Sequence, residues 1–146
     1  GNKIDIIATD HVPHTWDEKN QDYPSAPAGL PLVQHGLQIL MDFYHEGILS
    51  LEMIVEKTSH NVAKRFQIKE RGYIREGYYA DLAVLDLDKP YEVSEENILY
   101  KVGWSPFLGK TFNSSIYMTV VNGHIAFLDG KINNNLPYGM QIEFNR

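Results

Sequence analysis

What most limits the folds open to this chain is one short run of residues. Ile4-Asp5-Ile6-Ile7-Ala8 has the length and composition of a buried β-strand, and Thr9-Asp10-His11-Val12-Pro13-His14 follows at once. A carboxylate and two imidazoles therefore leave the end of a strand within five residues. In α/β barrels the loops beyond strand ends carry the chemistry. Asp and His are also the residue types that bind hard or borderline metals and move protons near neutral pH. Because residues 4–9 lie so near residue 1, this strand is expected to be the last stave of a larger barrel, followed by whatever comes after it.

Composition narrows the partners. The chain has 146 residues, the size of one domain, with ordinary hydrophobic (43%) and charged (22%) fractions. A net charge of −6, with Lys64-Arg65 the only adjacent basic pair, speaks against a nucleic-acid partner. No apolar run approaches the ~20 residues needed to span a bilayer, so no membrane partner is expected. No signal peptide is expected ahead of the first strand. There is no cysteine, which excludes disulfides and thiolate metal sites and fits a cytoplasmic setting.

Residues 15–29 show no apolar period and read as a long loop, a length that usually means function or disorder. Leu30, Val33, Leu37, Leu40 and Tyr44 then recur at three and four residues, predicting a helix over 30–46 with Pro31 in its first turn and Gly47 beyond its end. Ser50 is placed to cap a second helix carrying Met53, Ile54 and Val55. Thr58 or Ser59 is placed to cap a short third one through Val62, Ala63 and Phe66. Beyond Arg71 the pattern changes to short β-like runs. Strands are expected at 80–87, 115–121 and 125–128, the last two joined by Asn122-Gly123, a strong hairpin signal. Residues 133–146 read as an exposed tail. The boundary between the two parts falls near residue 70.

Asp10 is the leading candidate for chemistry. A carboxylate at a strand end can ligate a metal and accept a proton. A turn or helix cap is the competing role. His14 is placed to donate to an anionic group or to lie on the surface, and His11 is expected to be structural. The N–H groups of Ala28 and Gly29, just before a helix, can bind an anion or merely lead into that helix. His35, His45 and His60 are read as solvated or capping histidines, His124 as structural, and Asp17-Glu18 as a solvated loop pair. No His-x-His or His-Glu-x-x-His pair occurs.

Several of these segments together resemble one family. Thr9-Asp10-His11-Val12-Pro13-His14 resembles the Thr-Asp-His-x-Pro-His motif of dihydroorotases, in the amidohydrolase superfamily. Hydantoinases and allantoinases share the Asp-His-x-Pro core but usually lack the second His. Pro27-Ala28-Gly29-Leu30-Pro31 resembles the family's substrate-loop Pro-Gly segment, with Ala28 where Pro is usual. Ser59-His60-Asn61-Val62-Ala63-Lys64 is similar to its Asn-Pro-Ala-Lys helix start, with Val for Pro. The runs from Gly72 to Ala83, Gly103 to Phe107 and Val120 to Gly123 match as well, so the likeness covers nearly the whole chain.

The resemblance implies an α/β fold: a metal-dependent (β/α)8 barrel with a small β-sandwich made from both chain ends. Residues 1–70 would supply the last strand and helices of the barrel, and 71–146 a portion of the sandwich and the tail. Asp10 would be a zinc ligand and the general base. His14, with the backbone of Ala28 and Gly29, would hold the substrate. The remaining ligands would lie on earlier strands, so zinc is expected in the full-length protein and not retained by this chain alone. The implied reaction is the interconversion of N-carbamoyl-L-aspartate and dihydroorotate in pyrimidine synthesis, with this chain an inactive C-terminal piece. Alternatives are a non-catalytic assembly subunit, or an enzyme acting on a hydantoin or allantoin ring. The implied partners are a small-molecule substrate and either a second copy or the missing N-terminal part.

Overall fold

The computed structural model describes residues 3–133 and 137–145. Its first segment departs from expectation. Residues 4–9 form no strand among the described residues. A strand is defined by a paired neighbour, and here the neighbours are helical. Backbone groups of the segment are met instead by the helices: the Ile7 N–H donates to the Lys57 carbonyl at 3.1 Å, Asn61 Nδ2 to the Asp5 carbonyl at 2.8 Å, and Lys57 Nζ to the Ile4 carbonyl.

The stretch 15–29 is not wholly loop. Thr15 caps a four-residue helix, α1 (Trp16–Lys19), with Glu18 reaching back to the cap in a reciprocal capping box. Glu18 is thus bonded rather than merely solvated. Its backbone hydrogen bond from Thr15 is the main reason its carboxyl lies below the usual range. Lys19 Nζ donates to the Pro27 carbonyl at 2.6 Å and closes the loop.

The next helix, α2 (Gly36–His45), starts later than the periodicity predicts. Leu30 is occupied otherwise: it bridges His11 in parallel, and its carbonyl accepts the Val12 N–H at 3.1 Å. Pro31 is buried ahead of the helix rather than inside its first turn. Gly47 takes φ +71° beyond the helix end, where an L-residue would be strained. Ser50 caps α3 (Leu51–Val55) as expected, its Oγ accepting the Met53 N–H. No separate cap follows. A π-helical turn (Glu56–His60) joins α3 directly to α4 (Asn61–Phe66). Thr58 Oγ1 donates back to the Ile54 carbonyl, and Ser59 Oγ donates to the Gly72 carbonyl; the helix runs through both residues, so there is no new helix start for either to cap.

The second part is antiparallel. Strand β1 (Leu82–Asp86) pairs with β4 (Ser115–Val121), β4 with β5 (His124–Leu128), and β5 with β6 (Lys131–Ile132). Between β1 and β4 lies a small pair, β2 (Tyr91–Glu92) with β3 (Thr111–Phe112). Asn122 and Gly123 take φ of +50° and +82° at the β4–β5 turn, the geometry that favours Asn-Gly there. Arg71 ties this turn to the helices through Asp81 and Asn122.

One core joins the two parts. Leu40, Met41 and Ile54 form its centre, and Ile7, Leu37, Leu85 and Leu87 pack around them. Asp42 on α2 accepts from the Asn113 N–H (3.1 Å) and Nδ2 (3.0 Å) and pairs with Lys110 at 2.9 Å. Burial raises the Asp42 pKa, but these donors outweigh it and hold the carboxyl below its ordinary value. His45 is not simply solvated. Its Nε2 lies 3.1 Å from the Leu87 carbonyl and 2.9 Å from Ser114 Oγ. His60 stacks on Tyr73 at 4.2 Å. His35 is wholly buried among aromatic rings, contrary to its reading as solvated or capping.

Of the expected tail, residues 134–136 and 146 lie outside the described residues. The rest is exposed except at Asn133 and Tyr138, which are half-buried, and it is pinned where it ends. Phe144 bridges Ile68, and the Lys69 and Asn145 N–H groups donate to the Glu143 and Gln67 carbonyls.

Candidate active-site loop

Asp10 takes φ +46°. A non-glycine residue in the left-handed region is uncommon and concentrates at functional turns. The side chain is exposed and accepts no hydrogen bond from another described residue. The residues after it are fixed from behind. His11 Nδ1 accepts the Val33 N–H at 3.1 Å, so in the neutral ring the proton sits on Nε2. The same ring lies 5.7 Å from Tyr100. The Val12 N–H is held by Leu30, as described above.

Gly29 meets this segment at close range. It takes φ +107°, and a Cβ there would stand 2.6 Å from Val12 Cβ and 2.8 Å from the Val12 carbonyl oxygen. Only glycine permits both the backbone conformation and the approach. The contact brings the Ala28–Gly29 end of the loop beside the Asp10–His14 turn. Neither the Ala28 nor the Gly29 N–H donates to another described residue, and Ala28 is exposed.

His14 is half-buried, its Nδ1 3.8 Å from Glu18 Oε2. Its carbonyl accepts Trp104 Nε1–H at 2.8 Å, and Trp104 meets Trp16 edge-on at 5.5 Å. Asp10, His14 and Gly29 are therefore gathered by one turn and its backing. Tyr100, Trp104 and Val33, which hold that turn, are not among the residues singled out from the sequence for chemistry. The signal for Trp104 lay in the Gly103-Trp104-Ser105-Pro106-Phe107 run.

The described residues do not make a metal site. Asp10 supplies one carboxylate, and among the described residues no group of three or more His, Cys, Asp or Glu is gathered around a common point. A zinc site takes three or four protein ligands. A cavity of about 480 Å³ lies between Val33 and the start of α2 (Leu37) on one side and the sheet (Ile116, Phe127, Ile132) on the other. Among the described residues no helix is long and apolar enough to cross a membrane.

The profile of the amidohydrolase family matches residues 38–127. The chain belongs to the amidohydrolase family. This amidohydrolase chain is 38% identical over 125 residues to the dihydroorotase of Endomicrobium trichonymphae, covering 85% of this chain and 30% of the relative. It is 38% identical over 127 residues to the dihydroorotase of Clostridium acetobutylicum, covering 86% and 30%. Among solved structures, the L-hydantoinase of Arthrobacter aurescens superposes with a TM-score of 0.79 at 27% identity, over 89% of this chain and 30% of that one. The chain thus spans about 30% of the length of the curated relatives it matches. The fold is of the amidohydrolase type, similar to that of the hydantoinases.

Proposed function

We propose that this chain is the C-terminal part of a dihydroorotase, which reversibly cyclises N-carbamoyl-L-aspartate to dihydroorotate. On this reading residues 1–70 belong to the barrel and residues 71–146 to the sandwich portion. The observation that carries the reading is His14: it stands in the Asp10–His14 turn, half-buried, with its backbone gripped by Trp104. Curated relatives named dihydroorotase support it.

The roles follow from the chemistry of each group. Asp10 is exposed and accepts no hydrogen bond from another described residue, so it is free to take a proton from the attacking water during ring opening. It passes that proton to the departing ring nitrogen, and cyclisation runs the transfer in reverse. His14 and the Ala28 and Gly29 N–H groups present donors to the substrate carboxylate. In the complete enzyme Asp10 would also be one zinc ligand. One carboxylate is not a zinc site, so the metal belongs to the assembled protein. The rest of the polypeptide, or a second copy, is the partner that covers the apolar face, and the cytoplasm is the compartment this reading implies.

The likeness to an L-hydantoinase keeps a second ring in view, a hydantoin or allantoin. His14 weighs against it. The test is to assay the full-length protein containing this chain with dihydroorotate, hydantoin and allantoin. Turnover of dihydroorotate well above the others is expected. Preference for hydantoin or allantoin would overturn the substrate, and no turnover of any ring would favour a non-catalytic assembly subunit.

A further inference from the structure

The segment Leu99–Trp104 reaches across the molecule to the Asp10–His14 turn and touches it or its backing three times. The Leu99 N–H donates to Gln34 Oε1 at 2.8 Å, next to the Val33 amide that fixes His11. The Tyr100 ring lies against the His11 ring. Trp104 Nε1–H donates to the His14 carbonyl. A turn makes these reaches possible. The Gly103 N–H donates to the Tyr100 carbonyl at 3.2 Å, and Gly103 takes φ +68°, so Tyr100 and Trp104 leave the same bend. The site-bearing turn and the segment that holds it are thus far apart in sequence.

We propose that Trp104 is a positioning residue for the active-site loop, acting through the His14 carbonyl and the Trp16 ring. An indole N–H is a donor only and has one direction in which to give its proton. Bonded to the His14 carbonyl, it fixes the peptide from which the His14 imidazole projects. The Trp16 ring, held edge-on by the same indole, adds a second hold at the start of α1. That helix is four residues long and caps itself through Thr15 and Glu18, so it is too short to be stable without outside support. Loss of the donor should free His14–Lys19 as a unit and leave the distant hydrophobic core in place.

The proposal rests on the dihydroorotase reading only for its kinetic arm. Trp104→Phe removes the N–H and keeps an aromatic edge for Trp16; Trp104→His keeps a ring N–H. In the full-length protein, Trp104→Phe should raise the KM for dihydroorotate by roughly three- to tenfold, the range a lost neutral hydrogen bond covers, with a smaller change in kcat. Trp104→His should recover part of that loss. A merely structural role would instead lower the thermal midpoint and leave KM unchanged, which would overturn the proposal. The second arm needs no activity. Amide hydrogen exchange followed by mass spectrometry should show faster exchange in Trp104→Phe confined to the peptide covering His14–Lys19, with α2 and β4 unaffected. Unchanged exchange there, or acceleration spread over the chain, would overturn it. Faster local exchange in a protein that turns over no dihydroorotate would refute the substrate reading and leave the positioning role standing.

Discussion

The His35 imidazole stacks on the Phe112 ring, with centroids 5.8 Å apart and planes 18° from parallel, and neither ring nitrogen has a hydrogen-bond partner among the described residues. Tyr91 and Phe107 close the surroundings at 6.3 and 5.8 Å. The ring serves as a flat apolar filler at the start of α2, joining that helix to the β2–β3 pair. Such a site tolerates the neutral imidazole far better than the charged one.

A pH dependence of stability follows. Burial pushes the folded-state pKa of His35 below its ordinary value. As pH falls, the unfolded chain binds the proton first, near its ordinary pKa of about 6.5. Full stability is therefore present above that value and is lost as pH falls from it toward the depressed folded pKa. Thermal midpoints of the protein containing this chain, taken stepwise from pH 7.5 to 5, should fall more steeply than those of His35→Phe, which keeps a ring in the stack. Parallel slopes for the two proteins would show that His35 does not carry the effect.

Different elements were legible to different degrees, for physical reasons. The β4–β5 hairpin is encoded by two adjacent residues that tolerate positive φ, and the Ser50 cap by one hydroxyl, so each can be read from a few neighbouring residues. The capping box of α1 is also local, Thr15-x-x-Glu18, but it is masked by the lack of any apolar period around it. The start of α2 is different. Periodicity extends back to Leu30, but tertiary pairing of Leu30 with His11 and Val12 removes that residue from the helix. The burial of His35 depends on Tyr91, Phe107 and Phe112, far along the chain, and no local pattern reports it. At the candidate site, Asp10, His14 and Gly29 could be named from their motif. The groups that hold the turn, Val33 and Trp104, are tertiary neighbours: the Gly103–Phe107 run marks Trp104 as part of a family pattern, but no local pattern reports its bond to the His14 carbonyl or that of Val33 to His11.

Gly29→Ala tests the contact behind the active-site turn. The substitution places a methyl against Val12 and imposes a left-handed φ on an L-residue, so either Val12 or the loop must move. A destabilisation of about 1–3 kcal/mol is expected, the range for a strained backbone conformation. Substrate affinity should fall as well, because the Ala28 and Gly29 amides shift. Chemical denaturation and a KM measurement on the same variant check both. Gly47→Ala provides the control. It has a positive φ but no atom within 4 Å of the added methyl, so it should cost stability without altering KM.

Asp10 and His14 should fail in different ways in the full-length enzyme. On the proposed reading Asp10→Asn keeps the shape of the side chain and removes the proton acceptor, so turnover should drop by ~10²–10⁴ or more. On the proposed reading His14→Ala removes a contact to bound substrate, so the main effect should be a raised KM. Steady-state kinetics on the two variants separate the roles. Near-normal turnover in Asp10→Asn would remove it as the proton carrier. Unchanged affinity for dihydroorotate in His14→Ala would move the substrate toward a hydantoin or allantoin.

Val33, Leu99 and Ile132 line the 480 Å³ cavity between α2 and the sheet and are 57%, 46% and 48% exposed. Ile4, in the segment that forms no strand, is 63% exposed. Apolar surface on this scale, in a chain that also has a segment without a strand partner, recruits other chains. Produced by itself, this chain should form dimers or larger species, and light scattering across a concentration series should show the mass rising. Leu99→Lys combined with Ile132→Lys places two charges at the cavity, where contact with another chain would have to desolvate them, and should shift the population toward monomer. A stable monomer of the unaltered chain at high concentration would show that its helices and sheet satisfy their own apolar faces.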